Sequence, residues 1–393
     1  MRLKLNFSRI ISKSFRVGAS SSRKLPNIEC HLSQDFFLLK HGDSNTTSPH
    51  FPPNPPNPQT LPTPPLFSTL SPDSSYRLQT TLADFLPSGP NPPPLTLPPT
   101  HDSSELPPAH HLLYFEPTKR SSEMLPDGTN PDHFPGEPFG RRMWAGGKVV
   151  WNHDKSLRLD GGVGVCCEFI RDVTTKGEKE GDEKVFVEIE RRIAKASHEE
   201  MEAAAWHDLE HRVRQRLWRD GGEDLGPASI LERRTLVFLR RRSRWSRNAE
   251  EKSASKLLEN SRTPDYTHTL TPDPKLLFRF SALTFNAHAI HLDPLYCRDV
   301  EGHRNILVHG PLSLTFMITL LSQHLAKEGN QVIRSIEYRN TAPLYCGEEI
   351  KFCGKRTGER KWEVWAEGPD GGIAVKGRVK TEEGRIDKSD LGV

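Results

Sequence analysis

The stretch Pro311-Leu312-Ser313-Leu314-Thr315-Phe316-Met317-Ile318-Thr319-Leu320-Leu321-Ser322-Gln323-His324-Leu325 decides the fold. It is apolar on almost every face, so it reads as a helix buried in a core. Its apolar heart, Leu312 to Leu321, is about half of the roughly 20 residues that a bilayer span needs. Pro311 suits a first helical turn, where its missing amide is no loss. Downstream, strands are predicted at Gln331 to Asn340, Glu348 to Lys355, Lys361 to Glu367 and Ile373 to Thr381, with Gly358 and Asp370-Gly371-Gly372 supplying tight turns. One buried helix followed by an antiparallel meander predicts an α+β unit, the helix lying on the sheet.

Upstream a second strand-rich region runs from Met143 to Lys195. Val163 to Ile170 reads as one strand, and Lys184-Val185-Phe186-Val187-Glu188-Ile189-Glu190 alternates as a half-buried strand should. Ser197 to Arg219 is charged, with Met201, Leu209, Val213 and Leu217 at helical spacing, and Gly221-Gly222 ends it. It is expected to be a surface insertion. Ser229 to Leu239 is a further predicted strand. The basic run Arg240 to Arg247 suits either an acidic partner or a solvated linker end.

The rest of the 393-residue chain sets limits. Hydrophobic content is 34%, and 16 of the 33 prolines fall between residues 51 and 100, where they stop helix and sheet from propagating. Residues 29–104 are therefore expected to be a Pro-rich linker, with a short helix near Tyr76 to Leu86. The first 28 residues hold no acidic side chain but carry Arg2, Lys4, Arg9, Lys13, Arg16, Arg23 and Lys24 among serines. That pattern predicts a mitochondrial transit peptide, the alternative being a basic tail. Folded units are expected at 105–245 and 265–385, with a linker at 246–264. The net charge of +3, from 54 basic and 51 acidic residues, gives no reason to expect nucleic acid as a partner. Six scattered cysteines without a CxxC pair suggest reduced thiols.

Chemistry is expected in Phe280-Ser281-Ala282-Leu283-Thr284-Phe285-Asn286-Ala287-His288-Ala289-Ile290-His291-Leu292-Asp293-Pro294, followed by His309-Gly310-Pro311 at the head of the apolar helix. His288 and His291 can share a helical face, but no third metal ligand accompanies them, so no metal or other cofactor is expected. A helix start offers unpaired amides and partial positive charge, and a glycine there lets a ligand approach the backbone. An imidazole and an anion-stabilising amide are what removal of a proton next to a thioester carbonyl requires.

At these residues the chain resembles the MaoC-like hydratase family, whose motif has the form Asp-x-Asn-Pro-Leu-His with a later His-Gly pair opening the central hot-dog helix. The similarity is closer to a double hot-dog branch reading Ser-Ala-Leu-Thr-Phe-Asn-x-His-x-Ile-His. That branch includes fungal mitochondrial hydroxyacyl-thioester dehydratases type 2 and bacterial mesaconyl-CoA hydratase-like proteins. Further blocks at His111 to Pro117, Asp127-Gly128, Arg141 to Gly147 and Leu231 to Phe238 resemble its N-terminal hot-dog domain. The resemblance implies two hot-dog units in one chain. It also implies a catalytic His291, a Gly310 amide holding the thioester oxygen, and Asn286 standing where the family has aspartate. His288, Asp293, His309 and Arg279 are expected to bind the substrate.

The implied activity is a 3-hydroxyacyl-thioester dehydratase of mitochondrial fatty-acid synthesis, in the matrix, acting on acyl carrier protein or CoA thioesters. A mesaconyl- or itaconyl-CoA-type hydratase and a non-catalytic acyl-thioester scaffold are the alternatives. With two units in one chain, a monomer or a homodimer is expected.

Overall fold

A computed structural model of the chain describes residues 63–87, 104–177, 181–202, 206–241, 263–329 and 331–384. The first half comprises β1 (Leu66–Thr69), α1 (Pro72–Leu82), β2 (Arg141–Trp151), β3 (Val163–Lys176), β4 (Lys184–Lys195), α2 (His198–Met201), α3 (Trp206–Leu217) and β5 (Ile230–Leu239). The second comprises β6 (Tyr266–Leu270), α4 (Pro274–Leu283), α5 (Pro294–Tyr296), α6 (Gly310–Glu328), β7 (Gln331–Asn340), β8 (Ile350–Gly358), β9 (Lys361–Glu367) and β10 (Ile373–Glu383).

Among the described residues the strands form a single ten-stranded sheet in the order β1-β3-β4-β5-β2-β7-β10-β9-β8-β6. Each half traces the same path. It lays down a short edge strand and a helix, then a strand at the centre of the sheet, then a meander that returns from the edge. The halves meet where β2 runs antiparallel to β7, with Gly147 opposite Tyr338 and Val149 opposite Ile336. Alternation sets the faces: in β10, Lys376, Arg378 and Lys380 are exposed while Val375, Gly377, Val379 and Thr381 are buried.

Helix α6 begins one residue earlier than the sequence suggested and is the core of the second half. Leu312, Leu314, Phe316, Met317, Ile318, Leu320, Leu321 and Leu325 are all buried, and Phe316 packs on Phe352 of β8 with ring centroids 5.4 Å apart. Gly329 ends the helix. In the first half, residues 104–140 make only single helical turns, at His110–Leu113, Ser121–Glu123 and Pro131–His133. That half also buries ions on its strands. Arg191 is fully buried between Glu168 at 2.8 Å and Glu232 at 3.2 Å, and its guanidinium also donates to the Phe115 carbonyl.

Three sequence expectations need correction or relocation. The folded part does not start near residue 105: β1 pairs with β3, Leu66 opposite Cys166, and α1 buries Leu78 and Leu82 in the main core. The prolines explain how. Pro72 occupies the first turn of α1, where no amide donor is lost, and the next proline is Pro87. The charged segment 197–219 is not only a surface feature. Val213 and Leu217 of α3 pack against Val165, Cys167 and Phe169 on the outer face of β3. The expected transit peptide and the residues 242–247 of the basic run lie outside the described residues. Arg240 is bound to Glu183 at 2.7 Å and Arg241 to Glu137 at 3.0 Å. No described helix is long and apolar enough to cross a membrane.

Candidate active site

The chain leaves α4 at Leu283 and makes an irregular loop before α6. The Thr284 hydroxyl donates to the Phe280 carbonyl at 2.7 Å, and Phe285 adopts a positive φ of 49°, which turns the chain sharply. Asn286 then caps its own loop: its Oδ1 accepts the His288 amide at 3.0 Å. Residues Ala289–His291 make a single helical turn.

This loop is pinned from the other half of the molecule. The Ala289 amide donates to the carbonyl of Asp127 at 2.8 Å. Beside it, Gly128 has φ +79° and lies so close to Ala287 that a Cβ there would sit 2.1 Å from the Ala287 oxygen. Only a glycine combines that φ with that approach at low cost. The Asp127 carboxylate is held by the amide and hydroxyl of Thr129 at 2.9 and 2.7 Å, and it lies 3.6 Å from Nε2 of His288.

Three buried histidines follow from this geometry. Nδ1 of His291 lies 2.8 Å from the Leu307 carbonyl oxygen. A carbonyl only accepts, so Nδ1 carries the proton and Nε2 keeps its lone pair. The ring of His309 stacks on that of His291 at 3.7 Å, and its own Nε2 bonds the Ser281 hydroxyl at 2.8 Å. Burial pushes His291 down to about 4, with the Arg142 guanidinium adding to the effect and the Leu307 carbonyl opposing it. His288 and His309 are held well below the ordinary imidazole range, by burial first and then by neighbouring histidines; Arg142 adds to the effect at His288. All three rings are therefore neutral at pH 7, and His291 is a base with a fixed tautomer.

His291 lines a cavity of about 290 Å³ formed by residues of both halves. Gly310 lines it too, at the first position of α6, where an amide has no partner inside the helix. A Cβ on Gly310 would come within 2.8 Å of Asn340 Nδ2, which itself donates to the Trp144 carbonyl at 2.7 Å. The helix start thus packs closely against the junction of β2 and β7. A neutral imidazole, a helix-start amide with no partner inside its helix and a cavity beside both suit proton removal next to a carbonyl.

Of the residues singled out in the sequence, Asn286, His288, His291 and Gly310 line this cavity. His309 does not line it; it is fully buried behind His291. Asp293 and Arg279 do not line the cavity. Asp293 is exposed, and its carboxylate caps α5 by accepting the amides of Leu295 and Tyr296. Arg279 lies on the exposed face of α4, beside Phe278. Sequence reasoning missed Arg142, Trp144 and Arg234, which line the cavity from the first half. In sequence the block Arg141 to Gly147 carries only a family likeness, and no local spacing links it to His291.

The family model for hydroxyacyl-thioester dehydratase type 2 matches residues 109–346, more than half of the chain. The mesaconyl-C(4)-CoA hydratase of Chloroflexus aurantiacus is 28% identical over 284 residues, spanning 70% of this chain and 84% of that protein. The mitochondrial hydroxyacyl-thioester dehydratase type 2 of Schizosaccharomyces pombe is 26% identical over 259 residues, spanning 65% of this chain and 79% of its own. Among solved structures, a MaoC-like dehydratase from Phytophthora capsici superposes with a TM-score of 0.51 at 14% identity, covering 83% of this chain and 99% of that one. The fold is the MaoC-like hot-dog fold.

Proposed function

Because the chain belongs to the hydroxyacyl-thioester dehydratase type 2 family, we propose that it interconverts 3-hydroxyacyl thioesters and their trans-2-enoyl forms in the cavity beside His291 and Gly310. It is a hydro-lyase. In the dehydrating direction the C2–H and C3–O bonds break and the C2–C3 double bond forms. Nε2 of His291 takes the C2 proton and returns it to the departing hydroxyl, which leaves as water. The Gly310 amide at the start of α6 stabilises the negative charge that builds on the thioester oxygen, and loss of one such donor typically costs on the order of a hundredfold or more. Asn286 cannot titrate. With Oδ1 fixed on the His288 amide, it holds the loop and leaves its NH₂ to orient the water.

The observation that carries this reading is the bond from Nδ1 of His291 to the Leu307 carbonyl, which leaves a buried, neutral imidazole with one available lone pair. The direct test is hydration of crotonyl-CoA and of a crotonyl carrier-protein thioester. Both sources of thioester fit the chemistry, and the ratio of the two rates assigns the carrier. His291→Ala is expected to abolish turnover while leaving the fold intact, with a melting temperature lowered only by the lost Leu307 bond and ring packing. Near-normal hydration by that variant removes the assignment.

The Schizosaccharomyces pombe relative is named as mitochondrial. We place this protein in mitochondria, in the matrix, where the same reversible dehydration serves fatty-acid synthesis. Residues 1–28 fused to a reporter should import it; a reporter left in the cytosol refutes the placement.

A further inference from the structure

His288 and His291 both line the cavity, and each ring has a different acceptor behind it. Behind His291 stands the Leu307 carbonyl of its own half. Behind His288 stands a carboxylate from the first half: Oδ2 of Asp127 lies 3.6 Å from Nε2. That nitrogen is buried and has no hydrogen-bond partner among the described residues. The turn that carries Asp127 also aims it. Oδ1 accepts both the amide and the hydroxyl of Thr129, at 2.9 and 2.7 Å, so Oδ2 is the oxygen left for the imidazole. Asp127 is itself buried and does not line the cavity.

At 3.6 Å the pair is longer than a hydrogen bond, and such contacts at acid–base sites are often long before the substrate binds. The polarity of the pair still selects a tautomer. A carboxylate oxygen only accepts, so a lone pair on Nε2 would be repelled, whereas an N–H there is attracted. Burial keeps the ring neutral, so the proton sits on Nε2 and the lone pair on Nδ1. Because Nε2 is sealed off, Nδ1 is the nitrogen of His288 left for the cavity. The two rings therefore carry opposite tautomers, and each offers the cavity an acceptor. Their centroids lie 5.7 Å apart at 83°, within reach of one water that bonds both at about 2.8 Å.

The reacting water has two hydrogens, and leaving either without an acceptor in a buried site is costly. Nε2 of His291 accepts one. Asn286 cannot accept the other, because its Oδ1 is taken by the His288 amide and its NH₂ only donates. We propose that Nδ1 of His288 accepts it, so that the water is held between two imidazoles with a lone pair aimed at C3. Asp127 of the first half is then the positioning residue that keeps His288 in the accepting tautomer. The proposal rests on the dehydratase reading above. In hydration the water oxygen bonds to C3, and the hydrogen on His291 passes to Nε2 and on to C2. The hydrogen on His288 stays with the oxygen as the product hydroxyl. No bond to His288 or Asp127 forms or breaks.

The first test reads the tautomer in the resting full-length protein. NMR shifts of the ring nitrogens, assigned to His288 by their loss in His288→Ala, should show Nε2 protonated and Nδ1 bare at pH 7. In Asp127→Asn the Thr129 donors keep the amide oxygen on their side, an NH₂ faces Nε2, and the pattern should reverse. The second test reads hydration of crotonyl-CoA. In a serine-protease triad the same exchange leaves the geometry intact and costs about ten-thousandfold in kcat through the wrong tautomer. Here the ring only holds the water, so Asp127→Asn should lose about a hundredfold in kcat, with KM within a few-fold and the melting temperature almost unchanged. Added to His288→Ala, the same exchange should cost less than about threefold more, because its partner is gone. A protonated Nδ1 in the wild type, or losses that multiply in the double variant, overturns the proposal and leaves the dehydratase reading standing. A wild type that hydrates no enoyl thioester overturns both.

Discussion

Gly128→Ala tests whether the first half positions the reacting loop. The new Cβ would sit 2.1 Å from the Ala287 carbonyl oxygen, at a φ of +79°. The left-handed conformation costs an L-residue roughly 1–2 kcal/mol, and overpacking against backbone typically adds about 1–3 kcal/mol. The total of about 2–5 kcal/mol falls if the loop yields. Opening the contact to an ordinary van der Waals separation takes an ångström or so, and Ala287 carries Asn286 and His288 with it. A misplacement of about 1 Å can cost on the order of a hundredfold in rate. The expected result is a folded protein with kcat for crotonyl-thioester hydration down by about two orders of magnitude and a melting temperature lowered by roughly 4–20 °C, taking about 2–4 °C per kcal/mol. Gly136→Ala is the control. Its φ is +94°, but nothing lies within 4 Å of the added carbon, so stability should fall while turnover is kept. Wild-type kcat/KM in Gly128→Ala would show that the Asp127-Gly128 turn does not set the loop.

Asn286→Ala removes the acceptor of the His288 amide and should cut turnover tenfold or more, whereas Asn286→Asp keeps the acceptor and should stay within a few-fold of wild type. The carboxylate of Asn286→Asp should also raise the pKa of His291 and so move the acid limb of the pH–rate profile upward; equal losses in the two variants would exclude a positioning role for Asn286. The molecule should be acid-labile. His291 is pushed down to about 4, His110 to about 3, and His288 and His309 are well below normal, mainly by burial, so the unfolded chain binds more protons than the folded one between about 6.5 and 4. The stability these rings supply is therefore complete above about pH 6.5 and falls as pH drops through that window, and an unchanged melting temperature from pH 7 to 4.5 would contradict it. Burial alone would raise Glu168, but hydrogen bonding to His133 and the charge of Arg191 hold it at about 2, so Arg191→Leu leaves Glu168 and Glu232 without their shared cation. Removing one partner of such a network costs about 3–5 kcal/mol, to be read from the urea midpoint. A loss below about 1 kcal/mol would show that the two glutamates find other compensation.

The parts of the fold that were legible in the sequence are those with a strong period. α6 is a continuous apolar run and β7–β10 carry alternation or sharp turns, so their expected bounds fall within about three residues of the observed ones; β4 starts as expected at Lys184 but runs five residues further, to Lys195. The strands β1 and β6 were not foreseen. Leu66-Phe67-Ser68-Thr69 and Tyr266-Thr267-His268-Thr269-Leu270 are short edge strands, each paired on one side only, to β3 and β8. Four or five residues at a sheet edge need little apolar pattern, and proline next to them is tolerated. Where the signal is local, the sequence brought together residues that share a cavity: His291, Asn286 and Gly310, read from one motif and one helix start, all line it. Proximity in sequence misled for Asp293, which is spent on a helix cap, and for Arg279, which α4 turns outward. Arg142 and Asp127 were invisible as site residues because the pairing of β2 with β7 and the path of residues 104–140 bring them there.

The absence of a long helix from residues 104–140 has a consequence for the site. Leu112, Glu116, Met124, Gly128, Asn130 and His133 of that segment all line the cavity, and α6 closes it from the other half. A regular helix presents side chains outward and keeps its carbonyls in its own ladder. It has no bare backbone to offer mid-span. The irregular segment offers the Asp127 carbonyl to the Ala289 amide and sets Gly128 directly against Ala287, contacts that a helical face would hold several ångströms away. The two halves thus repeat one strand path with different contents. The second supplies His291, the proposed base, and the helix-start amide of Gly310, and the first supplies the wall, the clamp and the one cavity-lining arginine without an ion pair among the described residues. Neither set makes a site alone, because the loop bearing His291 is held on one side by Leu307 and on the other by Asp127.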